Sequence, residues 1–349
     1  MSEQFIQISK AELLAFATAI FTAAGVERAM AETWANVLVW ANLRGVDSHG
    51  VLRIPRYLEL LANNAINPAP NISIERRAGA IIVMEADRAP GAVAMTRAMQ
   101  EALACARDSH IGWCAARSIT HAGAIGYYAL QAAEAGMIGI VMTASGPLMA
   151  YHGSSKAGVS TNPLAIAVPA KTRRPFLLDM STASVPNGKV LDARDRGIEV
   201  PRGWGIDVEG RDTTDPNKIA TLLPVGGAKG SGLSFMLECL CSLAVGNPRI
   251  APALSSGGGT ETPLMNGVAM ALNVAAIDDL DQFTREADRL GDAIAALPPA
   301  GGVERVLLPG ERGDRILAER EATGIPVAKG TWSRIVAAAQ RLGVTAPLQ

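Results

Sequence analysis

Two histidines stand in polar loops where they could move protons. His49 lies in the segment Asp47-Ser48-His49-Gly50, and His121 lies in the segment Thr120-His121-Ala122-Gly123. Imidazole changes its charge near neutral pH, so histidine is the side chain best suited to donate or accept a proton there. Ser48 is placed to hydrogen-bond or relay to the His49 ring. A loop histidine can equally be a capping or surface residue, and the residues alone leave both interpretations open.

Two arginines flank the first histidine. Arg53 follows His49 by four residues, and Arg44 precedes it by five. A guanidinium binds a carboxylate through two parallel hydrogen bonds, and an adjacent acid can protonate a carbonyl oxygen or imine nitrogen as charge develops there. The pattern therefore favours an anionic carbonyl substrate, with Ser48, His49 and Arg53 as candidate catalytic residues and Arg53 and Arg44 as candidate substrate ligands.

Other segments have the composition of anion or ligand sites. The His121 loop and the glycine-rich segment Gly226–Gly232, which contains Lys229, each precede a predicted helix. Free N–H groups and the helix dipole stabilise an anion at such a place, although His121 could instead simply cap its helix. Polar clusters at Ser160–Pro163 and Asp179–Thr182 border predicted strands, and ligands often bind in crevices at strand ends.

Composition excludes several classes of protein. The 349 residues are 49% hydrophobic, 19% charged and 4% aromatic, which predicts a globular protein with a large core. Lys and Arg number 32 against 33 Asp and Glu, so no basic surface for nucleic acid is indicated. The apolar stretch Leu233–Val245 is interrupted by Glu238 and is shorter than the roughly 20 residues of a membrane span. The start Met1-Ser2-Glu3-Gln4 lacks secretory features, so a cytoplasmic location is expected.

The cysteines do not indicate a metal site or a disulfide framework. Cys105, Cys114, Cys239 and Cys241 show no CxxC spacing, and no metal is predicted. A cysteine-nucleophile acyl transferase would need Cys105 or Cys114 beside a histidine. Cys114 lies in an apolar strand-like segment, where a buried, unreactive thiol is the better interpretation.

Apolar periodicity predicts an α/β protein of mixed architecture. Ser9 and Glu12 form a capping-box pattern, and Gly25 is placed to end the first helix. Further helices are predicted from Glu27 to Gly45 and Pro55 to Leu61, and at Ala92–Ala106, Ala124–Ala135, Leu233–Val245, Leu280–Leu297, Arg312–Ala322 and Thr331–Leu342. Short apolar segments predict strands at Ile111–Arg117, Met137–Thr143, Leu164–Ala170, Phe176–Met180 and Val268–Ile277. Gly257–Gly259 and Leu297–Gly302 are expected to be exposed loops. The helical ends are expected to pack together around a strand-rich middle.

Common catalytic and nucleotide-binding motifs are absent. A Rossmann phosphate loop needs glycines at i, i+2 and i+5, and each Gly-x-Gly pair lacks the third glycine. There is no G-x-S-x-G or H-E-x-x-H motif, and Gly227–Ser231 has P-loop residues in the wrong order. Generic motifs alone therefore lead no further than an α/β protein of enzyme size.

Taken in order along the chain, five motifs resemble the type-2 malate/L-lactate dehydrogenase family. They are Arg44–Gly50 with Arg53, His121–Gly123, Thr161–Pro163, Asp179–Thr182 and Gly226–Gly230. A stretch from Pro201 to Pro216 also resembles the family's linker, and the similarity covers nearly the whole chain to Arg312. The family also includes ureidoglycolate and sulfolactate dehydrogenases, diketogulonate reductase and the piperideine- and pyrroline-2-carboxylate reductases.

The resemblance implies hydride transfer with NADH or NADPH on a fold unrelated to Rossmann domains, which would explain the missing glycine motif. It implies a small carboxylate substrate and a homodimer. It also implies two parts: residues 1–75 and 280–349 form a helical part for substrate binding and dimerisation, and residues 76–279 form a strand-rich NAD(P)-binding part.

The resemblance also assigns residues to roles. His49 would be the proton donor during reduction, with Ser48 polarising the reacting group, and Arg53 would hold the substrate carboxylate. Some members are described with the histidine that matches His121 as the acid or base instead. Thr161 would lie on the substrate side. The implied cofactor contacts are His121, Ala122, Gly123, Ala124, Ile125, Asp179, Met180, Ser181, Lys229, Gly230, Gly310, Glu311 and Arg312.

The chain departs from the family pattern at two places that bear on the substrate. Ser231 stands where relatives commonly have an aromatic residue, and Pro186-Asn187 replaces a pair that is usually small or basic. The expected reaction is reduction of a 2-oxo acid, with a cyclic 2-imino acid as the alternative, because both present a carboxylate beside an electrophilic carbon. The alternative outside the enzymes is a protein that binds a small molecule and catalyses no reaction.

Overall fold

The computed structural model describes residues 5–256 and 264–347. Nine of its helices agree in place with the predicted ones, and two further helices, α6 and α8, appear among the described residues. Within the described ranges no helix is both long and apolar enough to span a membrane. The helices are α1 (Lys10–Ala23), α2 (Arg28–Leu43), α3 (Ile54–Ala62), α4 (Gly91–Ser109), α5 (Gly126–Glu134), α6 (Asn187–Arg196), α7 (Ala228–Glu238), α8 (Ile250–Ser255), α9 (Leu280–Ala295), α10 (Glu311–Thr323) and α11 (Lys329–Arg341).

The strands form mixed, mainly antiparallel sheets, and together with the helices they confirm the predicted mixed α/β class. They are β1 (Phe5–Ile8), β2 (Ser73–Ala78), β3 (Ile81–Glu85), β4 (Ile111–Ile119), β5 (Met137–Ala144), β6 (Met149–Ala150), β7 (Ala157–Val159), β8 (Leu164–Val168), β9 (Phe176–Met180), β10 (Gly205–Ile206), β11 (Thr221–Leu222), β12 (Met265–Asn273) and β13 (Ile325–Ala328). The main sheet has seven strands in the order β2-β3-β4-β12-β5-β8-β9. Only the β3–β4 pair in this sheet is parallel, so it is not the parallel sheet of a Rossmann domain.

Glycines let two helices lie directly on the main sheet. A Cβ atom on Gly112 of β4 would lie 1.9 Å from the Ala102 carbonyl oxygen of α4. A Cβ atom on Gly139 of β5 would lie 2.3 Å from the Ala129 carbonyl oxygen of α5. Small residues at these positions therefore set the distance between helix and sheet, and α5 is the helix that follows the His121 loop.

The two ends of the chain meet, as the sequence predicts. Strand β1 pairs with β13 in antiparallel register, from Phe5 opposite Ala328 to Ile8 opposite Ile325. The Phe16 ring of α1 packs against Trp332 of α11 with ring centroids 5.3 Å apart. The segment between α2 and α3 is held in this terminal assembly. The assignment of separate roles to residues 1–75 with 280–349 and to 76–279 stays a prediction.

Several elements differ from the sequence-based expectation. The elements that were not predicted are short or strongly polar: strands β1, β2, β3, β6, β7, β10, β11 and β13 and helices α6 and α8. The expected strand Val268–Ile277 ends at Asn273, whose side chain caps a following 3₁₀ turn. The helix predicted over Leu233–Val245 comprises the end of α7 and a π-helical turn at Cys239–Leu243. The predicted Gly257–Gly259 loop lies outside the described residues.

We expect Gly139→Ala to destabilise the fold by about 1–3 kcal/mol, because the added methyl group would overlap the α5 backbone. Gly232→Ala is the matched control, since a Cβ atom there would meet no atom within 4 Å and alanine favours the helix. Urea unfolding of both variants measures the difference. Equal stability of the two variants would contradict the packing argument.

Candidate active site

The first histidine lies in a compact segment between α2 and α3, which we call the histidine turn (residues 47–53). It consists of two successive 3₁₀ turns, Asp47–His49 and Val51–Arg53. The Ser48 hydroxyl lies 2.9 Å from His49 Nδ1, and Arg53 Nε donates to the Ser48 carbonyl oxygen at 2.7 Å. The turn therefore presents the hydroxyl, imidazole and guanidinium together, as the sequence predicts.

The second histidine lies beside the first. His121 follows the end of β4, and its ring centroid is 5.6 Å from that of His49, with the two planes 21° apart. The buried hydroxyl of Tyr57, on α3, lies 2.8 Å from His121 Nδ1. Gly91, the first residue of α4, allows that helix to pack on the backbone of Thr120 and His121. Elements distant in sequence thus bring both imidazoles to one place.

Hydrogen bonds define the tautomer of His121. The backbone N–H of Gly123 donates to His121 Nδ1 at 3.3 Å, so this nitrogen is an acceptor. In this tautomer the Tyr57 hydroxyl is a second donor that shares the single lone pair of the same nitrogen, and burial raises the pKa of Tyr57, which keeps the hydroxyl protonated. The proton of neutral His121 is therefore on Nε2. His121 can offer an N–H donor to a reacting oxygen or nitrogen.

Both imidazoles are neutral at pH 7. Burial, followed by the nearby charge of Arg53, lowers the pKa of His49 to about 4. Burial also lowers the pKa of His121 well below its usual value, and the charge that His49 carries when protonated, followed by that of Arg53, acts in the same direction. The imidazoles are unprotonated, but with pKa values this low they are weak bases as long as the charge of Arg53 is unbalanced.

The guanidinium of Arg53 is positioned for an anionic ligand. Its Nε donates a hydrogen bond to the Ser48 carbonyl oxygen. Within the described part of the chain, its two Nη atoms have no hydrogen-bond partner. Its charge acts on the pKa of His49, His121 and Tyr57, which places it among these rings. A substrate carboxylate bound there would supply the charge that this cluster lacks.

A second group of predicted residues meets at the end of β9. Asp179 Oδ2 accepts the backbone N–H of Gly126 at 2.8 Å, which joins β9 to the start of α5 and the His121 loop. The side chain is accessible, yet the surrounding protein raises the pKa of Asp179 to about 6, partly offset by the Gly126 hydrogen bond and the charge of Arg44. The Asp179 carboxylate is thus reachable from solvent and yet closely surrounded by protein. We call the space around it, at the end of β9, the β9 crevice.

Two further loops reach the same strand. The Leu177 N–H donates to the Pro309 carbonyl at 3.1 Å, which brings Gly310 and the start of α10 beside β9. On the other side, the Val225 N–H donates to the Thr182 carbonyl at 2.9 Å, just before α7. Gly230 packs closely on this pair. Met180 and Ser181 are half-buried between these loops, and Lys229 is exposed on the first turn of α7.

Comparison with known proteins agrees with this arrangement. The model of the malate/L-lactate dehydrogenase family matches residues 8–336. A malate dehydrogenase from Pyrococcus horikoshii is 34% identical over 99% of this chain and 98% of its own. The chain belongs to the malate/L-lactate dehydrogenase family. It is therefore an oxidoreductase, and the resemblance inferred from the motifs is confirmed.

Other members of the family show a range of named activities. An NAD(+) ureidoglycolate dehydrogenase from Escherichia coli is 32% identical over 90% of both chains. The solved structure of the P. horikoshii malate dehydrogenase superposes with a TM-score of 0.89, at 33% identity over 99% of this chain and 98% of that one. The solved delta1-piperideine-2-carboxylate reductase of Pseudomonas syringae gives a TM-score of 0.85, at 27% identity over 97% and 99%.

The dehydrogenase relatives imply a nicotinamide cofactor, and the residues around β9 fit one. Oδ1 of Asp179 has no hydrogen-bond partner among the described residues, which leaves an acceptor for a ribose hydroxyl. A Cβ atom on Gly126 would lie 2.7 Å from Asp179 Oδ2, and one on Gly310 would lie 3.1 Å from Leu177. The crevice thus has close backbone walls, a free acceptor and the exposed Lys229.

Two predicted site residues, Arg44 and Glu311, have partners that the sequence did not indicate. The buried Arg44 donates to Asp314 Oδ1 at 2.5 Å and to the Gly310 carbonyl at 3.0 Å, so its donors hold α10 rather than face a substrate. Its assignment as a substrate ligand is therefore revised to a structural one. Glu311 pairs with Arg305 and caps the Leu308 N–H, so its carboxylate is already engaged. Arg312 is exposed at the start of α10.

The other predicted site residues have only backbone contacts, or no contact that tests their predicted role. Ala122, Ala124 and Ile125 are buried in the His121 loop, and the Ala122 carbonyl accepts the Tyr128 hydroxyl. Thr161 is half-buried between Ser160 and Asn162. These two neighbours are bonded to α7 through Ser234, so Thr161 is held firmly, but no contact of its own supports or opposes a substrate role.

The cysteine-nucleophile alternative is disfavoured by the surroundings of Cys114. This residue is fully buried in β4. Burial, with a smaller contribution from the charge of Glu101, raises the pKa of its thiol to about 12. The thiolate that attacks an acyl group is therefore scarce at neutral pH.

Sequence reasoning missed two residues that shape the site. Tyr57 follows Arg53 by four residues, one helical turn, and this spacing could have indicated a shared face. Asn42 contacts the histidine turn from α2, but nothing in its surroundings in the sequence distinguishes it from an ordinary helix residue.

Removing the charge of Arg53 should raise the pKa of His49, because the positive guanidinium now opposes protonation. We expect Arg53→Gln to move the His49 titration upward from about 4, while burial still holds it below 6.5. Histidine ring NMR during a pH titration measures this change. Arg56→Gln, which removes an exposed arginine one residue before Tyr57, is the control. An unchanged His49 titration in Arg53→Gln would mean that the guanidinium does not act on the ring.

Proposed function

We propose that this protein is an NAD(P)-dependent oxidoreductase that interconverts a small 2-hydroxy acid and its 2-oxo acid. The observation that carries the proposal is the arrangement of Arg53, His49 and His121, a free guanidinium beside two neutral imidazoles. A carboxylate held by the guanidinium would present its neighbouring carbon to the rings. The named activities of the malate and ureidoglycolate dehydrogenase relatives support the same substrate class.

The cofactor is assigned to the crevice at the end of β9. Asp179 would accept from the ribose, and the His121–Ile125, Lys229–Gly230 and Gly310 segments would enclose the dinucleotide. When bound, the nicotinamide supplies the hydride acceptor or donor of the reaction. Because His121 belongs to both groups of residues, the substrate and the reacting ring would meet beside it.

The residues of the histidine turn and His121 would bind the substrate and transfer the proton. Arg53 binds and orients the carboxylate of the substrate through its two Nη atoms. During oxidation, His49 takes the hydroxyl proton on Nε2 while Ser48 holds Nδ1, and during reduction it returns that proton. His121 donates its Nε2–H to the reacting oxygen and stabilises developing negative charge.

Substrate binding should also change the pKa of His49. The carboxylate neutralises Arg53, so the pKa of His49 should rise once substrate is bound. Proton transfer to His49 is thereby favoured only when a substrate is in place. The kcat/KM for oxidation should decline only as the pH approaches about 4, the pKa of His49 in the free protein, whereas kcat should decline at a higher pH, because bound substrate raises that pKa.

A cyclic imine reductase is the second candidate. It is favoured by the close similarity to the solved piperideine-2-carboxylate reductase, whose TM-score is 0.85. The same residues could serve, with His49 protonating the imine nitrogen as it becomes an amine.

We expect purified protein to consume NADH or NADPH in the presence of an acid from one of these two classes. The decrease in absorbance of the reduced nicotinamide is followed with pyruvate, oxaloacetate and sulfopyruvate, and separately with piperideine- and pyrroline-2-carboxylate. Turnover of an oxo acid supports the first candidate, and turnover restricted to the cyclic acids supports the second. Absence of both turnover and dinucleotide binding would overturn the proposed function.

His49→Ala should lower kcat by about 10²- to 10⁴-fold, the usual contribution of a general acid or base. Dinucleotide binding should be unaffected, because the β9 crevice is intact. His121→Gln retains an N–H donor, so a much smaller loss is expected. Steady-state kinetics with a fluorescence titration of NADH measure both effects. The opposite order of losses would assign proton transfer to His121.

We also infer a homodimer and a cytoplasmic location. The family resemblance supports the dimer, and the use of a nicotinamide cofactor from the cell's own pool supports the location. The solution mass by light scattering tests the dimer, and a monomeric mass at working concentration would contradict it.

A further inference from the structure

We propose that Asn42, Asp47 and Arg320 form a positioning network that fixes the histidine turn in its reactive geometry. The network connects α2 and α10 to the turn and touches neither substrate nor cofactor. This inference rests on the proposed function of His49 and Arg53, whose placement it explains.

The amide of Asn42 holds the turn at both ends. Asn42 is only 4% exposed and lies in the last turn of α2. Its Oδ1 accepts the buried N–H of Val51 at 2.8 Å, and its Nδ2 donates to Asp47 Oδ1 at 2.6 Å. Gly50 lies against the same amide, since a Cβ atom there would be 2.1 Å from Asn42 Oδ1. One side chain is thus hydrogen-bonded to a residue that precedes Ser48 and His49 and to a residue that follows them.

The guanidinium of Arg320 completes the network from the far end of the chain. Nη1 donates to the Asn42 carbonyl oxygen and, at 2.7 Å, to Asp47 Oδ1. Nη2 donates to Asp47 Oδ2 at 3.1 Å. The arginine side chain is 14% exposed, so its fork is enclosed by protein although Asp47 remains partly accessible. A planar fork is needed, because a lysine offers a point charge without this geometry.

The network acts on the reacting groups through the backbone. Its hydrogen bonds end at Asp47 and Val51, on either side of His49. The Ser48 carbonyl between them accepts from Arg53, so a tilt of the turn would move the imidazole and the carboxylate-binding guanidinium together. A displacement of about 1 Å in such groups can lower turnover by about 10²-fold.

Helix α10 links this network to the cofactor crevice. The helix follows Gly310 beside β9, where Arg44 holds Asp314 and the Gly310 carbonyl, and it reaches the histidine turn through Arg320. The same helix therefore sets the position of both halves of the proposed site.

Three variants and one control test the proposal. Arg320→Lys keeps the charge and loses the fork, and Asn42→Leu removes both amide contacts. The double variant Asn42→Asp/Asp47→Asn preserves the total charge and can rebuild the hydrogen bond between positions 42 and 47 with donor and acceptor exchanged. The single oxygen of an asparagine at position 47 can then accept only one of the two Arg320 hydrogen bonds. Glu321→Gln is the control, because Glu321 lies on α10 in an exposed pair with Lys10.

We expect kcat to fall about 10-fold in Arg320→Lys and about 10²-fold in Asn42→Leu, with the KM for the dinucleotide unchanged because the β9 crevice is intact. The double variant keeps the bond between positions 42 and 47 and loses one Arg320 bond, so its kcat should be near that of Arg320→Lys and well above that of Asn42→Leu, and the control should match the unmodified protein. Ring NMR adds a measurement that does not need turnover. The His49 pKa should move from about 4 toward its ordinary value in Arg320→Lys, because a loosened turn admits water.

Unchanged kcat and His49 titration in Arg320→Lys, even with a lower melting temperature, would reduce the network to a structural role and overturn the proposal. A kcat of the double variant as low as that of Asn42→Leu would also contradict it. If Asn42→Leu does not fold, Arg320→Lys and the double variant decide. If the unmodified protein turns over no acid, the proposed function fails while the His49 titration still tests the network.

Discussion

The positive charge of Arg53 beside two desolvated imidazoles is the constraint on which the rest of the site depends. Neither His49 nor His121 can easily take a proton while that charge is unbalanced, and the charge has no acidic partner among the described residues. The cluster is therefore incomplete without an anion. Under the proposed function, the substrate carboxylate would supply this anion, so substrate binding would raise the pKa of the imidazoles and favour proton transfer.

Holding such a cluster requires elements from distant parts of the chain. Charged and polar groups lose hydration when they are enclosed, so their positions must be fixed by hydrogen bonds rather than by apolar packing alone. Tyr57 does this for His121, and Asn42 does it for the histidine turn. The pairing of β1 with β13 brings α10 to the same place. The packing of the chain ends thus contributes directly to the site.

The sequence predicted the local parts of this structure well. The capping box of Ser9 and Glu12, most long helices and the main central strands follow from side-chain periodicity and chain stiffness, which act over a few residues. The proximity of Ser48, His49 and Arg53 could be predicted for the same reason. The motif order, compared with a known family, added the association of these residues with His121 and Asp179.

Contacts between distant segments could not be predicted in this way. Arg44 has the spacing of a substrate ligand, but only the fold shows that Asp314 occupies its guanidinium. Asn42 and Arg320 are separated by 278 positions and meet because the two ends of the chain pack together. Short strands such as β13 take their structure from a partner strand, so their own residues carry little signal.

The absence of a glycine-rich phosphate loop follows from the sheet itself. A Rossmann loop depends on a parallel strand that enters a helix at the carboxyl edge of the sheet. Here β9 is an antiparallel edge strand, and at its end Asp179 binds the first N–H of α5 while loops from residues 177–182, 225–230 and 309–310 converge. A site assembled from these three segments and the start of α5 needs no single contiguous motif. Each segment contributes one glycine or one polar group. No segment alone therefore indicated the family, and only the order of the segments along the chain did.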